Sequence, residues 1–163
     1  MQLARHAFLS YCRDDKDVVR SFRHELVENG IEVWWDDEIL PGQDWKHEIR
    51  KAIRQAYAVV VCLSATLESR KRSGVYPELL DAIAELRNRV PGEVFVIPVR
   101  LCNCEIPDVQ IDATRTLESL QRVDLFPDSE RKREFEKLVF VLNQKAGKDG
   151  ACQSGPSTIR RSI

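Results

Sequence analysis

Apolar positions along this chain follow two rhythms in turn: short unbroken runs, then longer stretches in which they recur every three or four residues. Residues 6–11, HAFLSY, form the first run and predict a strand. Val18, Val19, Phe22 and Leu26 follow at helical spacing, with Asp14 or Asp15 available as N-cap and Asn29-Gly30 as the stop. Residues 31–35, IEVWW, are β-branched and aromatic and suit a second, buried strand. A helix is predicted over about residues 45–56, with Ile49, Ala52, Ile53 and Ala56 on one face. Residues 57–63, YAVVVCL, are nearly all apolar, as a central strand covered on both faces should be.

A polar stretch, 64–73, leads to a helix over about 75–89, with Val75, Leu79, Ile83 and Leu86 inward and Pro91-Gly92 as its end. Residues 93–99, EVFVIPV, predict strand four; Pro98 has no N–H to give a ladder, which puts it at the strand's end or at a bulge. A long connection without clear period spans 100–117, and a weak fifth strand falls near 120–124. The last helix starts after Pro127-Asp128, with Phe135, Leu138, Val139 and Leu142 at i, i+3, i+4 and i+7. Core residues stop at Leu142, so the expected domain is 1–142. Residues 143–163 read as a flexible tail or the start of a linker.

Strand and helix alternate five times. Right-handed crossovers then require a doubly wound α/β fold, a parallel sheet with helices on both faces, and the expected strand order is 2-1-3-4-5. In that order the topological switch lies between strands one and three, where ligands bind at the carboxyl ends. The sequence puts Ser10, Tyr11, Cys12 and Arg13 there after strand one, and Ser64 after strand three, with the 73–78 segment behind it. Strand two brings an acidic loop to the same rim: Asp36, Asp37, Glu38, then Leu40-Pro41-Gly42, where Pro and Gly suit a turn. The chain's three tryptophans, Trp34, Trp35 and Trp45, bracket this loop.

Composition narrows the chemistry. Formal net charge is −1 with 31% charged residues, so no global basic field points to nucleic acid. The runs Arg70-Lys71-Arg72 and Arg131-Lys132-Arg133 read as solvated faces. Five cysteines form no paired framework, and three of them lie in or beside apolar runs, as in a reducing compartment. The three histidines stand at no ligand spacing, so no metal is expected. Residues 1–5 do not read as a signal peptide and no run nears about 18 apolar residues, which makes a cytoplasmic protein with no membrane contact the expectation.

A response-regulator receiver domain would share the architecture, but its acidic pair and acceptor Asp are replaced by Ser10-Tyr11 and Leu63-Ser64. No G-x-G-x-x-G, Walker A or G-x-S-x-G sequence follows any strand. One carboxylate stands at a helix start near the crevice: Glu78, in SGVYPEL. Spacing alone favours the plainer reading, an acid that meets the helix dipole beside Pro77.

Ala7-Phe8-Leu9-Ser10-Tyr11, Trp34-Trp35-Asp36 with Leu40-Pro41-Gly42, Val61-Cys62-Leu63-Ser64, Ser73-Gly74 leading to Glu78-Leu79, and Ile97-Pro98-Val99 together resemble a TIR domain of the bacterial type, in order and in spacing. The resemblance spans about residues 5–142. It implies a flavodoxin-like fold and, in many members, cleavage or cyclisation of NAD+ as substrate, with no cofactor. It implies that Glu78 is the catalytic glutamate, that Tyr11, Cys12, Arg13 and the loop near Pro41 line the nucleotide site, and that the 36–44 loop mediates TIR–TIR contact. Ser10, Asp36, Ser64 and Ser73 complete the candidate set by their place on the rim. Arg13 is the candidate phosphate ligand, and Tyr11, Tyr76 or Trp35 the candidate for stacking on a ring. Two positions depart from the family pattern: Gly74 stands where many enzymatic members carry Trp, and Cys12 where relatives are often polar or basic.

The chemistry suits a lone acid. Breaking the nicotinamide–ribose bond expels a neutral leaving group, so no general acid is needed, and a fixed carboxylate can stabilise an oxocarbenium-like ribosyl. The expected setting is an assembly-activated NAD+ nucleosidase of a bacterial immune or antiviral response, joined to a sensor domain or partner protein. Two non-enzymatic readings stand beside it: a TIR adaptor signalling only through TIR–TIR contacts, and an effector-like mimic binding host TIR domains.

Overall fold

The computed structural model describes residues 6–66 and 77–147. Five parallel strands, β1 (His6–Ser10), β2 (Val33–Trp34), β3 (Ala56–Leu63), β4 (Val96–Arg100) and β5 (Val123–Asp124), form one sheet in the order β2-β1-β3-β4-β5. Helices α1 (Lys16–Glu28), α2 (Trp45–Gln55), α3 (Pro77–Arg87) and α4 (Asp128–Lys145) flank it. This is the flavodoxin-like α/β architecture that the alternation predicts.

The sheet divides the core in two. Val19, Phe22 and Leu26 of α1 and Phe135, Leu138 and Leu142 of α4 pack on one face against Ala7, Leu9, Val60 and Cys62. Phe22 meets Phe135 edge-on with ring centroids 6.2 Å apart, a favoured aromatic geometry. Arg131 grips both carboxylate oxygens of Glu25, at 2.9 and 2.5 Å, and so ties α4 to α1. On the other face, Ile49, Ala52 and Ile53 of α2 and Leu79, Ala82, Ile83 and Leu86 of α3 cover Phe8, Val59, Val61 and Leu63. All eight residues of β3 are buried, which is why its sequence shows no alternation. Register slips between His6 and Ala7, so Tyr57 has no partner on β1 and both Tyr57 and Ala58 fall in the α1/α4 core.

Several boundaries differ from expectation. Strands one and two are shorter than their apolar runs, and Ile31 and Trp35 are core residues flanking β2. Strand four starts at Val96: Gly92, at φ +89°, turns the chain, and Phe95 leads into the strand with its carbonyl accepting from Val59 N. Pro98 lies in the middle of β4, not at its end or at a bulge. The reason is the side it presents. Phe95 O and Leu101 N bond to β3, so the intervening even positions face β5. That strand pairs only at Val99 and Arg100, so proline's missing N–H meets no ladder. Arg100 then locks the short edge, donating to both Asp124 oxygens at 2.7 and 3.0 Å. α3 is described from Pro77, and residue 75 of the expected helix lies outside the described residues, as does Arg70-Lys71-Arg72. α4 continues one turn past Leu142, to Lys145, whose ammonium stands 3.5 Å from Glu93.

Candidate active site at the carboxyl edge of the sheet

β1 and β3 part company at their carboxyl ends, since their following helices go to opposite faces. The segment after β1 fills the gap. Cys12 starts a 3-10 turn over Arg13–Asp15 that feeds α1. From this turn and the first residue of α1, side chains reach three neighbours. Asp15 occupies the N-cap of α1, yet its carboxylate accepts from the Ser64 hydroxyl at the end of β3 and not from its own helix. Arg13 lies over the Trp45 ring, 5.2 Å from its centroid, where α2 begins. Lys16 pairs with Asp37 of the acidic loop.

The predicted site residues fall on two sides of the sheet. Ala7, Leu9 and Tyr11 belong to the α1/α4 core and Phe8 to the other, so Ser10 faces α2 and α3. Its hydroxyl is buried and has no hydrogen-bond partner among the described residues. Trp34 stacks on Phe8 on that same side, at 5.2 Å and 15°. Glu78 is the second residue of α3, which lies between β3 and β4.

Tyr11 and Trp35 lie on the opposite side. Trp35 is 6% exposed and its ring is occupied: Tyr11 is tilted against it at 6.0 Å, and Arg23 and Lys16 stand over it at 5.1 and 5.7 Å. The open stacking face expected of Trp35 is therefore absent; it is a core side chain. Tyr11, also buried, donates its hydroxyl to Asp36. Burial, and then that carboxylate, push its phenol well above its ordinary value, so it stays a donor throughout the physiological range. Asp36 is thereby engaged inward and does not stand free on the rim. Cys12 is buried beneath the turn, while Arg13 and Pro41 are exposed. Ser73 and Tyr76 lie outside the described residues.

Sequence reasoning left Trp45 as a helix-opening residue. The half-buried Trp45, not Trp35, is the aromatic that meets Arg13 at the rim. Its place in the tryptophan-rich 31–45 stretch was the available signal. The roles of Asp15, Lys16 and Arg23 depend on contacts across 21 to 49 residues and on ring stacking, which no local pattern encodes.

A cavity of about 540 Å³ lies elsewhere, lined by Phe95, Val96, Leu120, Val123 and Leu138 at the amino end of β4. It is mainly apolar and away from the carboxyl edge. Among the described residues no group of three or more His, Cys, Asp or Glu is arranged to hold a metal, and no helix is long and apolar enough to cross a membrane.

Comparison with solved structures identifies the same arrangement in other proteins. The TIR domain of the Toll-related receptor TRR-2 from Hydra magnipapillata superposes with a TM-score of 0.63 at 16% identity, over 84% of this chain and 97% of that one. A TIR-STING receptor from C. gigas, solved with 2',3'-cGAMP, gives 0.58 at 24% identity, over 82% of this chain and 39% of the receptor. A prokaryotic SEFIR domain gives 0.54 at 18%, over 85% and 92%. At these identities the likeness speaks for the fold alone. Curated protein sequences give no match. The family model for the TIR domain, however, matches residues 7–139, which cover β1 through most of α4, and the chain belongs to the TIR domain family.

Proposed function

We propose that this TIR domain is an NAD+ nucleosidase, cleaving the bond between nicotinamide and ribose. What supports the reading is position along the chain: in a member of this family, Glu78 is the second residue of α3 (Pro77–Arg87), which lies between β3 and β4. Doubly wound sheets bind ligands at the carboxyl edge, where the crossover from β3 to β4 leaves the sheet.

The reaction asks little of the protein. Nicotinamide leaves as a neutral base with the bonding pair, and the ribosyl carbon becomes cationic. Water then adds at that carbon and a proton is released, giving ADP-ribose; attack by the substrate's own adenine in place of water gives a cyclic product. The Glu78 carboxylate stabilises the cation directly or through the ribose hydroxyls. Arg13, exposed and without an ion pair among the described residues, takes a phosphate, and Trp45 offers the aromatic edge next to it. Ser10 supplies a buried hydroxyl with bonding capacity to spare.

TIR domains commonly self-associate, and the exposed loop tip at Leu40 and Pro41 offers this chain a surface for doing so. Activity is therefore expected to depend on clustering. The test is nicotinamide release from NAD+ by the full chain, free and fused to a clustering module, beside Glu78→Gln. Release that requires clustering and vanishes in Glu78→Gln supports the assignment. A variant working at the wild-type rate removes Glu78 from the chemistry. No release from the clustered wild type favours the adaptor.

A further inference from the structure

The acidic loop begins with a 3-10 turn over Asp36–Glu38, closed by Glu38 N to Trp35 O at 2.9 Å and Ile39 N to Asp36 O at 3.2 Å. Both aspartates of this turn are held from outside it. Tyr11 donates to Asp36, and Lys16 to Asp37. The two donors flank the 3-10 turn after β1, so one short segment grips consecutive residues of the loop. Trp35 lies under the grip, in contact with Tyr11, Lys16 and Arg23. Lys16 thus serves two partners at once, a carboxylate and an indole face.

Beyond Ile39, which packs on the α2/α3 core, the character changes. Residues 40–44 are all exposed. Gln43 N bonds to Leu40 O at 3.1 Å and Gln43 Oε1 accepts from Leu40 N at 2.7 Å, so the tip closes on itself. Gly42, at φ +90°, makes that closure possible, and Asp44 caps α2 by accepting from His47 N at 3.0 Å. The tip is a self-contained turn slung between two anchored ends.

We propose that Tyr11 and Lys16 are positioning residues for the acidic loop: they clamp its first turn to the segment after β1, and the exposed tip Leu40–Gln43 stands outside that clamp. Any functional consequence rests on the nucleosidase reading, but the clamp itself does not. Its charges also set a rule for the acids. Asp36 and Asp37, which look in sequence like partner contacts, hold the loop's root, and Glu38 alone of the three acids has no clamp partner among the described residues.

Hydrogen exchange of the full chain, followed at the amides of residues 36–40, 42 and 43, tests this without turnover. Lys16→Met and Asp37→Asn should each speed exchange by about threefold, the scale of a part-exposed ion pair, and raising salt to about 1 M should do the same to wild type. Tyr11→Phe should speed it by about tenfold, as expected for loss of a half-buried charged hydrogen bond. Should Tyr11→Phe fail to fold, Asp36→Asn breaks the same bond from its other side. The exchanged pair, Lys16→Asp with Asp37→Lys, should return protection toward wild type. Unchanged exchange in Lys16→Met and Asp37→Asn overturns the clamp, as does an exchanged pair no better protected than either single variant. A nicotinamide assay on the same proteins separates this outcome from failure of the nucleosidase reading, since a chain that releases no nicotinamide still shows or lacks the protection.

Discussion

The Ser64 hydroxyl donates to the Asp15 carboxylate, joining the end of β3 to the N-cap of α1 across the crevice between β1 and β3. A capping acid ordinarily accepts from its own helix; here the backbone takes the N-cap position while the side chain bridges two loops. The bond is part-buried and charged, so each of Asp15→Ala and Ser64→Ala should cost about 1–2 kcal/mol. The double variant should cost little more than the worse single one, because both remove the same contact. Urea unfolding of the four proteins measures it, and fully additive losses would mean that the two residues act separately.

Tyr57 gives a prediction of opposite sign. It sits at the register slip in β3, buried in the α1/α4 core, and its hydroxyl has no hydrogen-bond partner among the described residues. Burial, with Glu32 adding a smaller push, raises its phenol to about 12. Deleting an unsatisfied buried hydroxyl removes a desolvation cost without opening a large cavity. Tyr57→Phe should therefore leave stability unchanged or raise it by about 0.5–1 kcal/mol, read from the urea midpoint. A loss above about 1 kcal/mol would reveal a partner for the hydroxyl in solution.

His6 makes folding sensitive to acid. Burial lowers its affinity for a proton below the ordinary value of 6.5, against the smaller opposing effects of the Ala52 carbonyl, 2.8 Å from Nε2, and of Glu38 and Glu32. The neutral ring is the native form. As pH falls below about 6.5 the unfolded chain takes up a proton before the folded one does, so stability is lost from that point down to the depressed native value. Above about 6.5 both states are neutral and the contribution is constant. His6→Gln should flatten the fall in urea midpoint between about pH 6.5 and 5 relative to wild type. Parallel curves for the two proteins would show that His6 is protonated alike in both states.

The fold was legible because its signals are local and redundant. The fully apolar β3, the helical spacing of Phe135, Leu138 and Leu142, and the Asn29-Gly30 stop each follow from one physical constraint. Pro98 was misplaced because the rule that excludes proline from a ladder depends on which side of the strand carries the partner, and the two-residue length of β5 is a tertiary fact. The rim itself could be named from topology, but the assignment of its side chains could not. Trp35, at the end of the run read as a buried strand, was also a candidate to stack on a ligand ring, whereas the strand alternation turns it inward beneath Arg23 and Lys16. Which of three clustered tryptophans meets Arg13 is decided by where α2 begins, and that start is set by the Asp44 cap.

Gly42 concentrates what the loop tip requires into one residue. Its φ of +90° is a conformation that side-chain-bearing residues resist, yet a Cβ built there meets no atom within 4 Å. A substitution is therefore penalised by backbone strain and not by collision. Because residues 40–44 are exposed and the tip closes on its own hydrogen bonds, that strain should distort the tip and spare the core. Gly42→Val should lower global stability by no more than about 1–2 kcal/mol. Its effect on function should be larger. If the tip meets a neighbouring domain, the protein concentration giving half-maximal nicotinamide release should rise about tenfold or more, the equivalent of about 1.4 kcal/mol of lost association. Pro41→Ala, which frees φ at the preceding position without imposing a clash, should act in the same direction and more weakly. Both variants are measured by titrating protein concentration in the nicotinamide assay alongside urea unfolding. A concentration dependence identical to wild type in Gly42→Val would remove the tip from assembly, whatever its cost to folding.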